Sequence, residues 1–308
     1  MEINGQDGLN FKIDQKNQIA SVIKSPKAKG SVLIPRFVVD KDIKYKVTSI
    51  EEDAFSNNKI QSLLFPPDSE VIIFNKKAFH CASIEKLQIP ASLTAIEKDL
   101  VDIEVSPKNH LFSYVENKFL LGKKNEKQTE FDELIYARFD LKTAKIPPYI
   151  KILKSYSINK NLKSLIFPEN SVIEEIECGA LSGNLTKLTI PKTLKKIDDS
   201  CFNFTYNLVD VEVSPENEVF SYVDDKYLLI KSDGKNFDEL IFCSRDAKNA
   251  IIRNYIKKIG SNSFNRCKQL ESITFESKSS LEEIKSYAFY DSNCPSEVII
   301  PESVSKVG

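Results

Sequence analysis

Large apolar residues recur along the chain in a fixed order, and the clearest copy runs from Ile173 to Ile197. Ile176 is followed five residues later by Leu181, then by Leu185-x-x-Leu188-x-Ile190-Pro191, and Leu194-x-x-Ile197 opens the next copy. The leading residue falls at Ile50 (with Phe55), Phe74 (Phe79), Ile96, Leu153 (Ile158), Ile176 (Leu181), Ile197 (Phe202), Ile259 (Phe264) and Ile284 (Phe289). Val307 begins one more. Uninterrupted neighbours are 21 (197−176) to 25 (284−259) residues apart, a period that predicts coils laid one on another.

Each copy also holds an apolar-x-x-apolar-x-apolar strand. These are Ile60-Leu63-Phe65, Ile84-Leu87-Ile89, Leu100-Ile103-Val105, Leu162-Leu165-Phe167, Leu185-Leu188-Ile190, Leu208-Val211-Val213 and Leu270-Ile273-Phe275. Val298 and Ile300 keep the last copy, with Pro295 in place of its leading Leu. Strand alternation turns the last two residues of each triplet inward and the residue between them outward. A lone unit buries too few side chains to offset the entropy of ordering it, so the units must stack.

Residues 1–46 are expected to form an N-terminal β cap. Phe11-x-Ile13 and Ile19-x-x-Val22-Ile23 flank Asp14-Gln15-Lys16-Asn17, a hairpin signal, and Gly30 to Val38 carries only half a repeat. Residues 47–308 then form the solenoid, interrupted by two segments at about 111–145 and 219–250. Ser106-Pro107-Lys108-Asn109 through Phe112-Ser113-Tyr114-Val115 matches Ser214-Pro215-Glu216-Asn217 through Phe220-Ser221-Tyr222-Val223, an offset of 108 (214−106). Phe131-Asp132-Glu133-Leu134-Ile135 matches Phe237-Asp238-Glu239-Leu240-Ile241 at 106 (237−131). Both segments read as β-meanders, with Asp224-Asp225-Lys226 and Ser232 to Lys235 as turns. Between Ile96 and Leu100 about seven residues are missing relative to Ile197 through Leu208, and the last repeat, at Val304 to Gly308, is incomplete.

Composition excludes several classes. With 43 basic and 44 acidic residues there is no electrostatic footprint for nucleic acid. Apolar runs stop near four residues, far short of the ~20 that span a bilayer. The start, MEINGQDGLNF, lacks the basic and apolar regions of a signal peptide, which points to the cytoplasm. Six cysteines with no CxxC and two histidines predict neither a zinc site nor a disulfide framework.

The repeats resemble the BspA-like leucine-rich-repeat family, and the SPxN segments and the cap also look like its protozoan branch. The resemblance is carried by Ile-Pro at 34–35, 89–90, 190–191 and 300–301, by Ala-Phe at 54–55, 78–79 and 288–289, and by the Pro-x-x-Val/Leu-x-x-Ile link. The SPxN-x-x-FSYV segments and Lys29 to Pro35 add to it. It implies an α/β class by convention that is in practice β-dominated: a right-handed leucine-rich-repeat horseshoe of about eight repeats. It also implies a binding role, since members are generally surface antigens or adhesins, which places the chain at the cell surface.

No catalytic set emerges from the residues. The adjacent acids Asp132-Glu133 and Asp238-Glu239 point to opposite strand faces and read as solvated strand-edge charge. His80 and His110 have no matching nucleophile and read as turn or surface residues. Cys81, Cys178, Cys201, Cys243, Cys267 and Cys294 sit near core positions and read as buried free thiols. We expect no enzyme, cofactor or metal. The informative residues are the outward ones between the inward strand positions: Leu64, Gln88, Glu104, Ile166, Thr189, Glu212, Thr274 and Ile299. Stacked, they form a row down the concave sheet, with three exposed aliphatics and two equivalent glutamates. The paired meanders are a second candidate surface. The resulting expectation is a protein-binding solenoid of the surface-antigen or adhesin kind, whose protein partner is not nucleic acid and which does not insert in a membrane. An intracellular scaffold or regulatory subunit of the same fold is the alternative.

Overall fold

A computed structural model describes residues 1–308 apart from 76, 80, 81, 83, 94, 97–102, 139, 159, 182, 233, 294–297 and the side chains of 95 and 96. His80, Cys81, Leu100, Asp233, Cys294, Pro295 and the shortened stretch after Ile96 lie outside the described residues. The chain divides into two compact units, Met1–Phe131 and Asp132–Gly308. Each is a parallel β-solenoid in which one coil contributes a short strand to one sheet and a longer strand to another. The only helical elements among the described residues are two short 3-10 turns, Gln6–Gly8 and Asp199–Phe204.

In the first unit the short strands run Ile19–Ile23, Ile43–Ile50, Ile73–Phe74 and Ala95–Ile96, paired in that order. The second unit has two such runs. One is Glu133–Ala137, Ile152–Leu153, Glu175–Ile176 and Lys196–Ile197. The other is Phe237–Cys243, Lys258–Ile259, Glu283–Ile284 and Lys306–Val307. Three runs of four make twelve coils among the described residues, against the eight expected. Three of the additional coils begin at Val22, Leu134 and Leu240, inside the cap and the two meander segments. Two of these escape the repeat spacing because Lys27 and Arg245 stand where the second large apolar residue belongs.

The expected hairpins are present. Asn10–Asp14 pairs antiparallel with Ile19–Ile23, Phe112–Val115 with Phe119–Gly122, and Phe220–Val223 with Tyr227–Lys231. Glu116 and Asn117 in one turn, and Asp224 and Asp225 in another, take the left-handed conformation that a tight hairpin turn requires. The cap strand Ile19–Ile23 and the strand Phe237–Cys243 do the same job: each ends an antiparallel set and starts a parallel run.

The repeat motifs have local physical causes. The N–H of Leu93, Ile150, Leu194 and Val304 each donates to the carbonyl of the proline three residues earlier, so Pro-x-x-apolar is a β-turn entering the next coil. In six of the coils the third residue past the short-strand core residue is left-handed: Asp53, Lys77, Tyr156, Gly179, Asn262 and Tyr287. Next comes the Ala-Phe pair. Its small residue lets the coils approach, so the Phe55 N–H reaches Ala78 O and the Phe264 N–H reaches Ala288 O, both at 2.8 Å. The Phe55 and Phe79 rings then stack at 5.9 Å, and Phe264 stacks on Phe289 at 4.8 Å.

Most inward strand residues are sealed, but Val105, Val213, Phe275 and Val298 are half-buried and Ile300, expected to face inward, is exposed. Leu188 and Ile190 are 0% exposed, and Val211 pairs with Leu188 in the same inward column. Burying each such side chain stabilises by about 1.5–3 kcal/mol, and pairing on both strand edges satisfies the backbone.

Asn109 and Asn217 explain the SPxN signature. The Asn217 Nδ2 donates to Pro191 O at 2.7 Å and Leu194 O at 3.1 Å, while its Oδ1 accepts from the Val219 and Phe220 N–H groups. Asn109 makes the same four bonds to Pro90, Leu93, Leu111 and Phe112. One carboxamide thus fastens the entry of each meander to the preceding coil.

Candidate binding surface

The longer strands carry the outward row except for Ile299, which lies on no strand. In the first unit they run Lys29–Leu33, Lys59–Leu64, Lys86–Ile89 and Ile103–Val105. In the second they run Thr143–Lys145, Ser164–Ile166, Lys187–Ile190 and Asp210–Val213, then separately Asn249–Ile252 and Ser272–Phe275. Parallel pairing in register places Gln88 beside Glu104, and Thr189 beside Glu212. It also adds three members that the sequence reading passed over: Leu33 pairs with Leu64, Lys145 with Ile166, and Ile251 with Thr274. All three stand in coils whose repeat signature is incomplete, which is why the pattern missed them.

The row is less open than expected at two points. Leu64 is half-buried rather than exposed, and the Gln88 carboxamide is engaged, its Oε1 accepting from the Phe65 N–H at 2.8 Å. Ile166 and Ile299 are exposed. The equivalent glutamates are both held by lysine: Glu104 by Lys86 at 2.7 Å, Glu212 by Lys187 at 2.6 Å. Lys187 also meets Asp210 at 3.0 Å, and its pKa is raised by the Glu212 and Asp210 hydrogen bonds. Ser62 bonds to Ser31 and Ser272 to Asn249, each at 2.7 Å. The sheet therefore presents a pre-ordered, charge-balanced surface with isolated aliphatics. Thr274 and Ile299 also wall an open depression of about 830 Å³ with Phe275, Glu276 and Pro301. A cavity of about 530 Å³ lies beside the last meander, lined by Ser221, Val223, Leu229, Phe237, Tyr255 and Lys257.

The acidic pairs are not solvated strand-edge charge. Asp132, Asp238 and Glu239 are buried, the last two at 1% and 4% exposure. Asp132 meets Lys151 at 3.0 Å and Asp238 meets Lys257 at 3.4 Å, both pairs 19 residues apart (151−132, 257−238). Asp238 also accepts from the Ser232 N–H. Stacking covers these strands on both edges, so their charges are neutralised by lysines of later coils instead of by water.

Cys201, Cys243 and Cys267 are buried free thiols and Cys178 is half-buried. Burial pushes the Cys201 thiol up to about 12. Beside Cys243 and Cys267 lies Arg245, which occupies the core position held elsewhere by Phe55, Phe202 or Phe264 and is 4% exposed. Its guanidinium donates to the carbonyls of Phe202, Thr205, Cys243 and Ser263 and lies 4.6 Å from the Phe242 ring. Burial lowers its pKa. The Cys243 hydrogen bond, opposed by burial and aided by Arg245, brings Cys267 down to about 7, while burial raises Cys243. His110 is exposed on a bend, as a surface residue. Among the described residues no three His, Cys, Asp or Glu side chains converge as a metal site, and no helix is long and apolar enough to cross a membrane.

Coils of two dozen residues, a short and a long parallel strand in each, and a row of outward residues define a leucine-rich-repeat solenoid. The family model for the BspA type leucine rich repeat region matches six copies, over residues 39–102, 129–244 and 235–308, and the chain belongs to that family. No curated protein matches it. Among solved structures it is similar to a leucine rich cell surface protein from Faecalibacterium prausnitzii, with 18% identity and a TM-score of 0.50, covering 100% of this chain and 84% of that one. It is also similar to a leucine-rich repeat protein from Eubacterium ventriosum, with 17% identity and a TM-score of 0.52, covering 100% and 93%. At these identities the likeness concerns the fold.

Proposed function

We propose that the chain is a non-enzymatic, protein-binding solenoid of the surface-antigen or adhesin kind. The observation that carries this reading is the in-register row Lys145, Ile166, Thr189 and Glu212, fixed on a four-stranded parallel sheet. A partner docking there meets a surface that is already ordered, so little conformational entropy is lost and many modest contacts add up. Glu212 in the row is matched by Lys187 within the protein, and the rest of the row mixes Lys145, Ile166 and Thr189, which favours a partner of mixed polar and aliphatic surface. A surface location draws support from family membership and from the bacterial cell surface protein of similar fold.

Proximity labelling of the full-length protein in its own cell would report location and partner together. The partner so found should bind Thr189→Lys/Glu212→Lys at least tenfold more weakly, with the thermal midpoint nearly unchanged, because both positions are surface ones. Unchanged binding would move the site to the meanders, and labelling of cytosolic proteins alone would remove the adhesin reading.

A further inference from the structure

Two of the buried thiols meet across neighbouring coils. Cys243 ends the strand Phe237–Cys243, and Cys267 follows the turn after Lys258–Ile259, the strand that pairs with it. The Cys243 N–H donates to Ser263 O at 2.8 Å, which seats the end of the first strand against that turn. Both cysteines are 0% exposed, and the Cys243 thiol donates a hydrogen bond to the Cys267 sulfur. Cys267 Sγ also lies 3.9 Å from Cys243 O and 3.8 Å from Ser244 O.

Arg245 sets the chemistry of the pair. Its Nη1 lies 3.7 Å from Cys267 Sγ, and a cation beside sulfur favours the thiolate, which is the reactive form. The Cys243 hydrogen bond and the guanidinium charge together outweigh burial at Cys267. Cys201 supplies the contrast within the same chain. It is equally buried, its sulfur meets the carbonyls of Ile176 and Glu177, and burial keeps it a thiol.

The internal duplication gives an independent observation. At the offset of 106, Cys243 corresponds to Ala137 (243−137) and Arg245 to Phe139 (245−139). The stretch Ile158 to Leu162, which matches Phe264 to Leu270, holds no cysteine. A coil of this fold is therefore built without any of the three. Both thiols and the cation occur together in one copy and are absent together from the other.

We propose that Cys243 and Cys267 form a redox couple that hydrogen peroxide converts to a disulfide between the two coils. The Cys267 thiolate attacks one peroxide oxygen, the O–O bond breaks, hydroxide leaves, and Cys267 becomes a sulfenic acid. The Cys243 sulfur then attacks the Cys267 sulfur. The S–O bond breaks, and the Cys243 proton departs with the hydroxyl as water. Together the sulfurs give up two electrons, which reduce the peroxide oxygens to hydroxide and water. Peroxide is close to water in size and reaches the pair when the turn opens locally, so the couple responds at the pace of that opening. The bond fastens the coil of Leu240 to that of Ile259 and leaves Arg245 on its carbonyl partners alone. This proposal is independent of the protein-binding reading.

The test treats the full chain with hydrogen peroxide at pH 7, alkylates the remaining thiols after unfolding, and maps the peptides without reduction by mass spectrometry. A Cys243–Cys267 disulfide, lighter by two hydrogens and reversed by dithiothreitol, is expected, with Cys201 still alkylated. Cys243→Ala copies the residue of the duplicated coil and should halt the reaction at a Cys267 sulfenic acid, trapped by dimedone. Arg245→Met should slow the loss of thiols roughly tenfold at pH 7 and move its pH profile upward. The Cys243→Ala result does not depend on how well Arg245→Met folds. Both thiols still free once Cys178 is oxidised, or a disulfide from either one to any other cysteine, would overturn the proposal. So would a Cys267→Ala chain in which Cys243 is oxidised at the parent's rate.

Discussion

Lys285 reaches past a whole coil to Glu239, its Nζ 2.5 Å from the carboxylate, and does so over Gly260. A Cβ on Gly260 would stand 2.9 Å from Leu240 O and 3.3 Å from Glu239 Oε1, in the path of the ion pair. Burial works against the Lys285 ammonium, but the hydrogen bond and charge of Glu239 hold its pKa above the usual lysine value. Glu239→Gln should cost about 3 kcal/mol, since a half-buried ammonium loses its counter-charge. Lys285→Met combined with Glu239→Met should cost much less than the sum of the single changes. Denaturant midpoints of the four proteins in a double-mutant cycle give the coupling.

Asn217 makes a second, sharper prediction. Asn217→Asp keeps the shape and the two accepted bonds but removes both donors, leaving the Pro191 and Leu194 carbonyls facing a carboxylate. The expected loss is about 2–3 kcal/mol. Amide exchange should quicken in the hairpin Phe220–Val223 and Tyr227–Lys231 before it does in the core strands. Unchanged protection of that hairpin would mean that Asn217 is not the fastening.

Arg245 is a buried charged side chain in a core position of the repeat, and it ties the coil of Phe202 to that of Ser263. Arg245→Ala should destabilise by about 3–5 kcal/mol, by leaving four carbonyls short of a donor as well as opening a cavity. Arg245→Met fills the space and should recover part of that loss. Both changes should raise the Cys267 pKa from about 7, because the guanidinium helps hold the thiolate. Thiolate absorbance followed against pH would show the shift.

The pair Lys154–Glu177, 2.5 Å apart, sets an acid limit. Burial works against the Glu177 carboxylate, yet bonds from Lys154 and Ser155 bring its pKa below the reference 4.5. A depressed carboxylate contributes stability that is present above its unfolded value and is lost as pH falls through its folded value. Lys154, raised above 10.5, loses its contribution only as pH climbs beyond that. Glu177→Gln should therefore cost about 1 kcal/mol between pH 5 and pH 10, and the gap from the parent should close below about pH 4.5. Urea midpoints across that range test the sign.

Much of the architecture was legible in the chain because the period is set locally. Proline fixes each turn, the Ala-Phe pair sets coil spacing, and Leu188-x-Ile190 alternates about the strand plane; nearest-neighbour chemistry suffices for all three. The candidate row was legible for the same reason, since alternation places Thr189 and Glu212 outward whatever lies next to them. What stayed hidden was anything decided by which coil lies beside which. That Asp238 and Glu239 are buried, that Arg245 takes the place of a phenylalanine, and that Lys145 and Ile251 extend the row all depend on partners 19 to 46 residues away. A repeat states the shape of one coil, but the charges and rings that meet across coils belong to the stack. Only the folded chain brings them within a few ångströms, where desolvation and pairing determine what each can do.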